Sequence, residues 1–236
     1  MALEELPGLA YGVSQDGNIS VHLFGPGKAS FTLAHAGTVA LEQVTAYPFD
    51  GAIRIRVACE REARFTIFVR IPAWASKAAI EVNGVAFPCV AAPGSYAAIE
   101  RRWRSGDEFL LNLPMPPVAH RKGHRNIQES RAPDGSPVHQ QVMCYEYLGL
   151  TRGPLVYATD LIDGFKTDET IRLGANGEWL EVMGSPNDEG GPTIRMTLGY
   201  RPPILFWPYY RAGGRGDGTW RLTWMSVAQD LHAHPE

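Results

Sequence analysis

The sequence has few cysteines, no long apolar segment and no basic leader. Its three cysteines, Cys59, Cys89 and Cys144, are an odd number and lie far apart. This pattern excludes a disulfide-rich scaffold and is typical of buried free thiols in a reducing compartment. No apolar run approaches ~18 residues, and the first residues lack the basic and apolar regions of a signal peptide. We therefore expect no membrane partner and predict a cytoplasmic protein.

The sequence also lacks an excess of charge of either sign. Its 22 Lys and Arg residues stand against 25 Asp and Glu residues, which gives a net charge of −3. Nucleic acids and anionic membranes bind strongly basic surfaces, so we predict neither as a partner. The 44% of hydrophobic residues and 20% of charged residues are typical of a globular protein.

Glycine and proline are abundant, and short alternating segments lie between them. The 25 glycines and 18 prolines provide the turns that many short strands need. Apolar and polar residues alternate at 53–57 and 65–71, which is typical of strands with one buried face. Residues 80–82 and 85–87 flank the dipeptide Asn83-Gly84, which favours a hairpin turn.

The alternation stops after residue 119, where a polar segment rich in turn residues begins, and it resumes after residue 140. We predict an all-β fold of two packed antiparallel β-sandwich (jelly-roll-like) domains, 1–119 and 141–236, joined by a linker or long loop at 120–140. A return of the last strands to the first domain is the alternative. We expect a helical turn only at 2–9 and 162–170.

Six short segments occur in an order that is typical of one protein family. They are LPGLAYG (6–12), VTAYPFDGAIRIRV (44–57), FVRIPAW (68–74), GSYAAIERRW (94–103), RGPLVYA (152–158) and LFWPYY (205–210). Together they resemble the C-terminal β-sandwich region of glycoside hydrolase family 127, the β-L-arabinofuranosidase-like family. The resemblance extends over residues 6–227.

The resemblance implies an accessory region and not a catalytic one. Enzymes of this family have an (α/α)6 barrel that holds a zinc-bound cysteine nucleophile and an acid/base glutamate. The paired cysteines of that motif have no counterpart among the three cysteines of this chain. No catalytic residue, metal ligand or cofactor is therefore transferred. We predict a structural or carbohydrate-binding module whose partner is a catalytic barrel, or a second copy, held through an apolar patch.

The alternative is a free-standing glycoside hydrolase of the β-L-arabinofuranosidase or β-galactosidase type. Such an enzyme needs two carboxyl groups a few ångströms apart, one of them protonated. Glu146, which lies between two tyrosines in an apolar strand, and Glu100 are the candidate catalytic residues. An ion pair with an arginine is the simpler interpretation of Glu146.

Two other segments have the composition of binding motifs. His120 and His124 have a spacing that would suit metal ligands on a helix, with Glu129 and His139 nearby. A neighbouring glycine and the polar surroundings disfavour a helix, so we predict a solvated loop and no metal site. The glycine-rich segment GPGKA (25–29) has alanine where a phosphate-binding loop needs Ser or Thr, so we predict a turn.

Aromatic residues give the remaining indication of function. Trp207, Tyr209 and Tyr210, with Arg211, lie together near the C-terminus, and Trp224 follows on a later strand. Sugar rings stack on the faces of Trp and Tyr, so we interpret the first four residues as candidate carbohydrate-binding residues. Packing of these aromatic rings in a core is the alternative.

Overall fold

The computed structural model of the protein divides into two compact units, Met1–Pro116 and Pro117–Glu236. It describes residues 8–128, 131–136, 141–160, 170–173, 179–213 and 221–228, with the backbone alone at 125–128 and 141–144. Packed, mostly antiparallel sheets dominate both units, so the predicted all-β class is confirmed. Residues 8–10 form a helical turn, and the turn expected at 162–170 lies almost wholly outside the described residues. In the described part, no helix is long and apolar enough to cross a membrane.

The first unit consists of ten strands in two sheets. The strands are β1 (Tyr11–Val13), β2 (Ile19–Val21), β3 (Gly27–Leu33), β4 (Gly37–Thr45), β5 (Ala52–Cys59), β6 (Ala63–Ile71), β7 (Ala79–Val82), β8 (Val85–Ala86), β9 (Ser95–Trp103) and β10 (Glu108–Asn112). One sheet has the order β1-β2-β6-β9, and the other has the order β3-β4-β5-β10-β7-β8. All pairs are antiparallel except β2 with β6, which is parallel.

Strand β5 illustrates why this sequence forms a sandwich. Ile53 and Ile55 are fully buried in the core, whereas Arg54 points outward and forms an ion pair with Glu108 on β10. The period of two therefore sends apolar side chains to the core and charged ones to the surface, which confirms the predicted alternation. The hairpin of β7 and β8 is also confirmed, and both turn residues have positive φ angles, as a tight turn of this kind requires.

Free cysteines and a central tryptophan complete the core of the first unit. Cys59 and Cys89 are unpaired, half-buried thiols that pack against the core, as predicted. The Cys144 side chain lies outside the described part. Trp103 is fully buried, and its indole N–H donates to the carbonyl oxygen of Phe65 at 3.1 Å. The polar atom of this large side chain is therefore satisfied inside the core.

The second unit begins with a strand where a loop is predicted. Its described strands are β11 (Pro117–Gln128), β12 (Gln141–Arg152), β13 (Leu155–Asp160), β14 (Leu180–Met183), β15 (Thr193–Met196), β16 (Ile204–Pro208), β17 (Arg221–Leu222) and β18 (Trp224–Val227). The prediction of a loop at 120–140 is wrong for 120–128, because β11 pairs with β12 along its whole length. The apolar alternation is weak in β11 because its side chains at 119–124 are exposed or nearly so.

The described strands of the second unit form one connected sheet. Its order is β11-β12-β13-β16-β15-β14, with β17 on β13 and β18 on β12. The described final strands thus pair within their own unit, which disagrees with the alternative that they return to the first domain. On β12, Leu148 and Leu150 are buried in a second core together with Phe206 and Met225. The opposite face of β12 bears the candidate site.

Candidate functional site

Aromatic side chains cover one face of the second sheet. In an antiparallel pair, directly opposed residues place their side chains on the same face. The register pairs Gly149 with Trp224, and Lys122 with Tyr147. It also pairs Ala158 with Trp207. We call this surface the aromatic face, and its aromatic members are Tyr145, Tyr147, Trp207, Tyr209 and Trp224.

A groove of about 560 Å³ crosses the aromatic face. Its lining comprises His120, Gly149, Leu150, Thr151, Val156, Tyr209, Thr223 and Trp224. We call it the Trp224 groove. The rings of Tyr209 and Trp224 are 47% and 43% exposed, so neither is buried in the core. A smaller hollow of about 290 Å³ adjoins it on the other side of Trp224, beside Lys122, His124 and Tyr147.

A glycine under Trp224 shapes the groove. A Cβ atom at Gly149 would lie 3.1 Å from a carbon atom of the Trp224 ring, which is closer than ordinary van der Waals contact. The absence of a side chain at this position lets the indole lie close to β12. Tyr145 and Tyr147 continue the row with their rings stacked, the centroids 6.4 Å apart. The face therefore presents broad, nearly flat apolar surfaces.

The polar groups of the groove are few and hydrogen-bonded. The Nε2 atom of His120 lies 2.7 Å from the Thr151 hydroxyl oxygen, which fixes the imidazole at one wall. The Arg221 guanidinium lies over the Tyr209 ring, 5.0 Å from its centroid, in a cation–π arrangement. An apolar groove with a small number of positioned polar groups is the usual form of a small-molecule site.

The sequence-predicted carbohydrate-binding residues do not all meet in the groove. Tyr209 lines it, and Trp207 is half-buried on the same face. Tyr210 and Arg211 contact a loop instead: the Tyr210 hydroxyl donates to the carbonyl oxygen of Gly190 at 2.9 Å, and Arg211 donates to the next carbonyl. Their grouping with Tyr209 reflects sequence proximity, and a binding role for any of the four stays a prediction.

His120 and Trp224 are the groove residues that the prediction did not select. His120 was interpreted as part of a loop because β11 shows no apolar alternation. Trp224 lies beside β12, and its strand pairs with β12 and not with β16, which follows the aromatic cluster. The alternation of His120, Lys122 and His124 was the available signal, since it places three polar side chains on one face of a strand.

The candidate catalytic carboxylates are engaged in ion pairs. Glu146 is on the face of β12 opposite the aromatic face, and its carboxylate lies 3.3 Å from the Arg121 guanidinium. This confirms the simpler interpretation of Glu146. Glu100 lies in the first unit, where it pairs with Arg64 at 2.9 Å on the surface. The two candidates therefore belong to different units, and each has its own cationic partner.

Histidine, cysteine and carboxylate side chains form no cluster of three or more within the described ranges that could bind a metal ion. His120 and His124 lie on a strand with one residue of the same face between them, and not on one turn of a helix. Glu129 and His139, the other members of the motif considered in the sequence, lie outside the described residues.

Fold and face together define an accessory β-sandwich region of the kind that accompanies a separate catalytic domain. Residues 18–115 match the family model of the β-L-arabinofuranosidase GH127 middle domain. The resemblance of this chain to the β-sandwich region of family 127 proteins is thereby confirmed. No curated protein matches the chain.

Solved structures of longer enzymes extend the likeness to both units. A glycoside hydrolase is 27% identical, with a TM-score of 0.67, and the match covers 97% of this chain and 38% of that one. A GH127 β-L-arabinofuranosidase from Geobacillus stearothermophilus T6 is 26% identical, with a TM-score of 0.68, over 94% of this chain and 35% of that one. A GH127 β-arabinofuranosidase at 22% identity and a TM-score of 0.66, over 94% and 37%, shares the fold. The chain thus spans little more than a third of each.

Proposed function

We propose that this chain is a non-catalytic module of a family 127-like glycosidase and that its aromatic face binds carbohydrate. The observation on which the proposal rests is the Trp224 groove, in which two large aromatic rings remain 43% and 47% exposed. Leaving such rings in water forgoes the free energy that burial would provide, so exposed aromatic patches commonly mark binding surfaces. Their flat faces suit the C–H faces of sugar rings.

The shape of the groove supports a saccharide as the ligand. A volume of about 560 Å³ lies within the range of small-molecule sites and is sufficient for two or three sugar rings. His120 and Thr151 at one wall supply hydrogen-bonding groups for ring hydroxyls. The adjoining hollow beside Tyr147 would extend the same surface along a longer chain.

A binding measurement on the whole 236-residue chain tests this proposal. Isothermal titration calorimetry would use arabinan and galactan oligosaccharides with the wild type, Trp224→Ala and Tyr209→Ala. Tyr210→Ala is the matched control, because Tyr210 is similarly exposed and adjacent in sequence but lies outside the groove. We expect about a tenfold loss of affinity in the groove variants, the equivalent of one lost stacking platform, and little change in the control.

The second candidate is a docking surface for a catalytic barrel, and the apolar lining of the groove favours it. In that case the oligosaccharides would not bind, and adding a separately produced family 127 barrel would protect the peptides of β12 and β18 from hydrogen exchange. Binding of sugar that is unaffected by Trp224→Ala would contradict the carbohydrate proposal.

The ion pairs of Glu100 and Glu146 argue against a free-standing hydrolase, because neither carboxyl group has the second, nearby acid that glycoside hydrolysis requires. We expect no hydrolysis of nitrophenyl β-L-arabinofuranoside or β-galactoside by this chain. Turnover that disappears in Glu146→Gln or Glu100→Gln would overturn the non-catalytic assignment.

A further inference from the structure

The first unit contains a separate cup of about 630 Å³ at one end of its sandwich. Its lining includes Tyr11, Phe24, Lys28, Gln43, Tyr47 and Arg70. The glycine-rich segment 25–29, predicted as a turn, forms part of the rim and continues into β3. This cup shares no residue with the aromatic face, and the function proposed above does not use it.

A buried glutamine forms the floor of the cup and holds its shape. Gln43 is only 4% exposed, and its amide N–H donates to the Tyr11 hydroxyl at 2.7 Å and to the Leu23 carbonyl at 3.1 Å. Its amide oxygen accepts from the Gly25 N–H at 3.5 Å. A buried polar side chain with several partners fixes the surrounding segments in one arrangement. The cup is therefore built by specific contacts and is not a chance gap between loops.

The charged side chains of the cup are all positive. No carboxylate lines it, whereas Arg70 and Lys28 both do, and both are exposed. Among the described residues neither has an ion-pair partner. Glu42, which is directly opposite Lys28 in the sheet, pairs with Arg56 at 3.5 Å. Two unpaired cations in one concave site attract an anion.

Aromatic rings form a wall of the same cup. Phe24 and Tyr47 pack edge to face with their centroids 5.6 Å apart. Burial raises the pKa of Tyr47, against an opposing effect from the positive charge of Arg70, so its hydroxyl remains a hydrogen-bond donor at neutral pH. Beside Arg70 the His22 imidazole lies 2.6 Å from the Tyr96 hydroxyl. Cations, hydroxyls and apolar rings thus occur together.

We propose that this cup binds a saccharide that bears a carboxylate, with the carboxylate on Arg70 and the sugar ring against Tyr47 and Phe24. A guanidinium group matches a planar carboxylate through two parallel hydrogen bonds, which a neutral sugar cannot form. A free inorganic anion would use the cations but would gain nothing from the aromatic wall. The ligand class is therefore an acidic sugar such as a hexuronate.

Calorimetry on the full chain tests the proposal with tetragalacturonate as the probe. Its fully methyl-esterified counterpart has the same rings without the negative charges. We expect the acidic oligomer to bind and the ester to bind at least about tenfold more weakly, since a charge-assisted pair is lost. Arg70→Gln should reduce affinity for the acid by a similar factor. Arg64→Gln is the matched control, because Arg64 is exposed on the same strand but pairs with Glu100.

Further arms separate the proposal from its competitors. Arg70→Lys keeps the charge and loses the planar group, so we expect intermediate affinity. Tyr47→Phe is expected to weaken binding less than Arg70→Gln. Thermal unfolding of each variant checks that the first unit stays folded. The proposal is overturned if the wild type binds no tetragalacturonate, if the ester binds equally well, if Arg70→Gln is without effect, or if inorganic phosphate competes at the same concentration as the sugar.

Discussion

Replacement of Asp107 by Asn should destabilise the first unit more than any surface change. Asp107 is 2% exposed at the corner before β10. Its carboxylate accepts hydrogen bonds from the Asn83 side chain at 2.8 Å and from the Arg104 backbone N–H at 3.0 Å. The Arg101 guanidinium lies 3.4 Å away. The carboxylate therefore connects the β7–β8 turn to the start of β10.

The expected loss can be worked out from these contacts. An Asn side chain at position 107 retains one oxygen acceptor but presents an N–H₂ group to a donor on the other side. At least one hydrogen bond to a charged group is lost, each of which contributes about 1.5–3 kcal/mol, and a buried donor is left unsatisfied. We expect Asp107→Asn to lower the free energy of unfolding by about 3 kcal/mol. Glu100→Gln, which breaks an exposed ion pair, should change it by about 0.5 kcal/mol or less.

The pH dependence separates the charge from the shape of this side chain. Burial would raise the pKa of Asp107, but the hydrogen bonds from Asn83 and Arg104 and the charges of two arginines outweigh it and lower the pKa. A carboxyl group with a lowered folded pKa stabilises the protein above its unfolded pKa of about 3.9 and loses this contribution as the pH falls through the folded value. The difference between wild type and Asp107→Asn should therefore be full at neutral pH and shrink below about pH 4.

The assay is urea unfolding with pulsed hydrogen exchange, read on peptides from β5 and β10 so that the signal comes from the first unit alone. Experiments at about pH 7, 5 and 3.5 span the transition. A difference that stays constant over this range would refute the role assigned to the negative charge. A loss no larger than that of Glu100→Gln would refute the calculated magnitude.

Three further predictions concern the same unit. Gly51→Ala should destabilise it by about 2 kcal/mol or more in urea unfolding, because a Cβ atom there would lie 1.8 Å from the Leu113 carbonyl oxygen; an unchanged midpoint would contradict this. Trp103→Phe should cost about 3 kcal/mol, since it leaves the Phe65 carbonyl unsatisfied and creates a cavity; a loss under about 1 kcal/mol would show that the site collapses. Cys59 should react with iodoacetamide several-fold more slowly than glutathione at neutral pH, because burial raises the pKa of its thiol; equal rates in the folded protein would contradict this.

Local patterns in the sequence were sufficient to predict the first unit's strands. Residues 53–57 alternate cleanly, and the Asn83-Gly84 turn specifies its hairpin through backbone angles that few other residues adopt. The parallel pairing of β2 with β6 could not be predicted in this way. Those strands are more than 40 residues apart, and their contact depends on how the two sheets close around the core.

The candidate site depends on non-local pairing in the same way. Trp224 and Tyr209 lie on different segments, and only the register of β12 and β13 brings them into one groove. Tyr210 and Arg211 adjoin Tyr209 in sequence, yet their side chains contact a separate loop. Composition could therefore indicate an aromatic surface, while the identity of its members required the sheet.

The failure at β11 follows from what makes its surface interesting. Apolar alternation marks a strand because one face is buried, but residues 119–124 of β11 are exposed or nearly so and have polar side chains on the aromatic face. A strand that presents His120 and Lys122 beside exposed aromatic rings gains little from local burial, and its pairing with β12 holds it in place. Sequence reasoning is expected to fail where local preference yields to another requirement, and such places are often functional. The position of this misprediction is therefore an independent reason to search the β11–β12 surface for a ligand first.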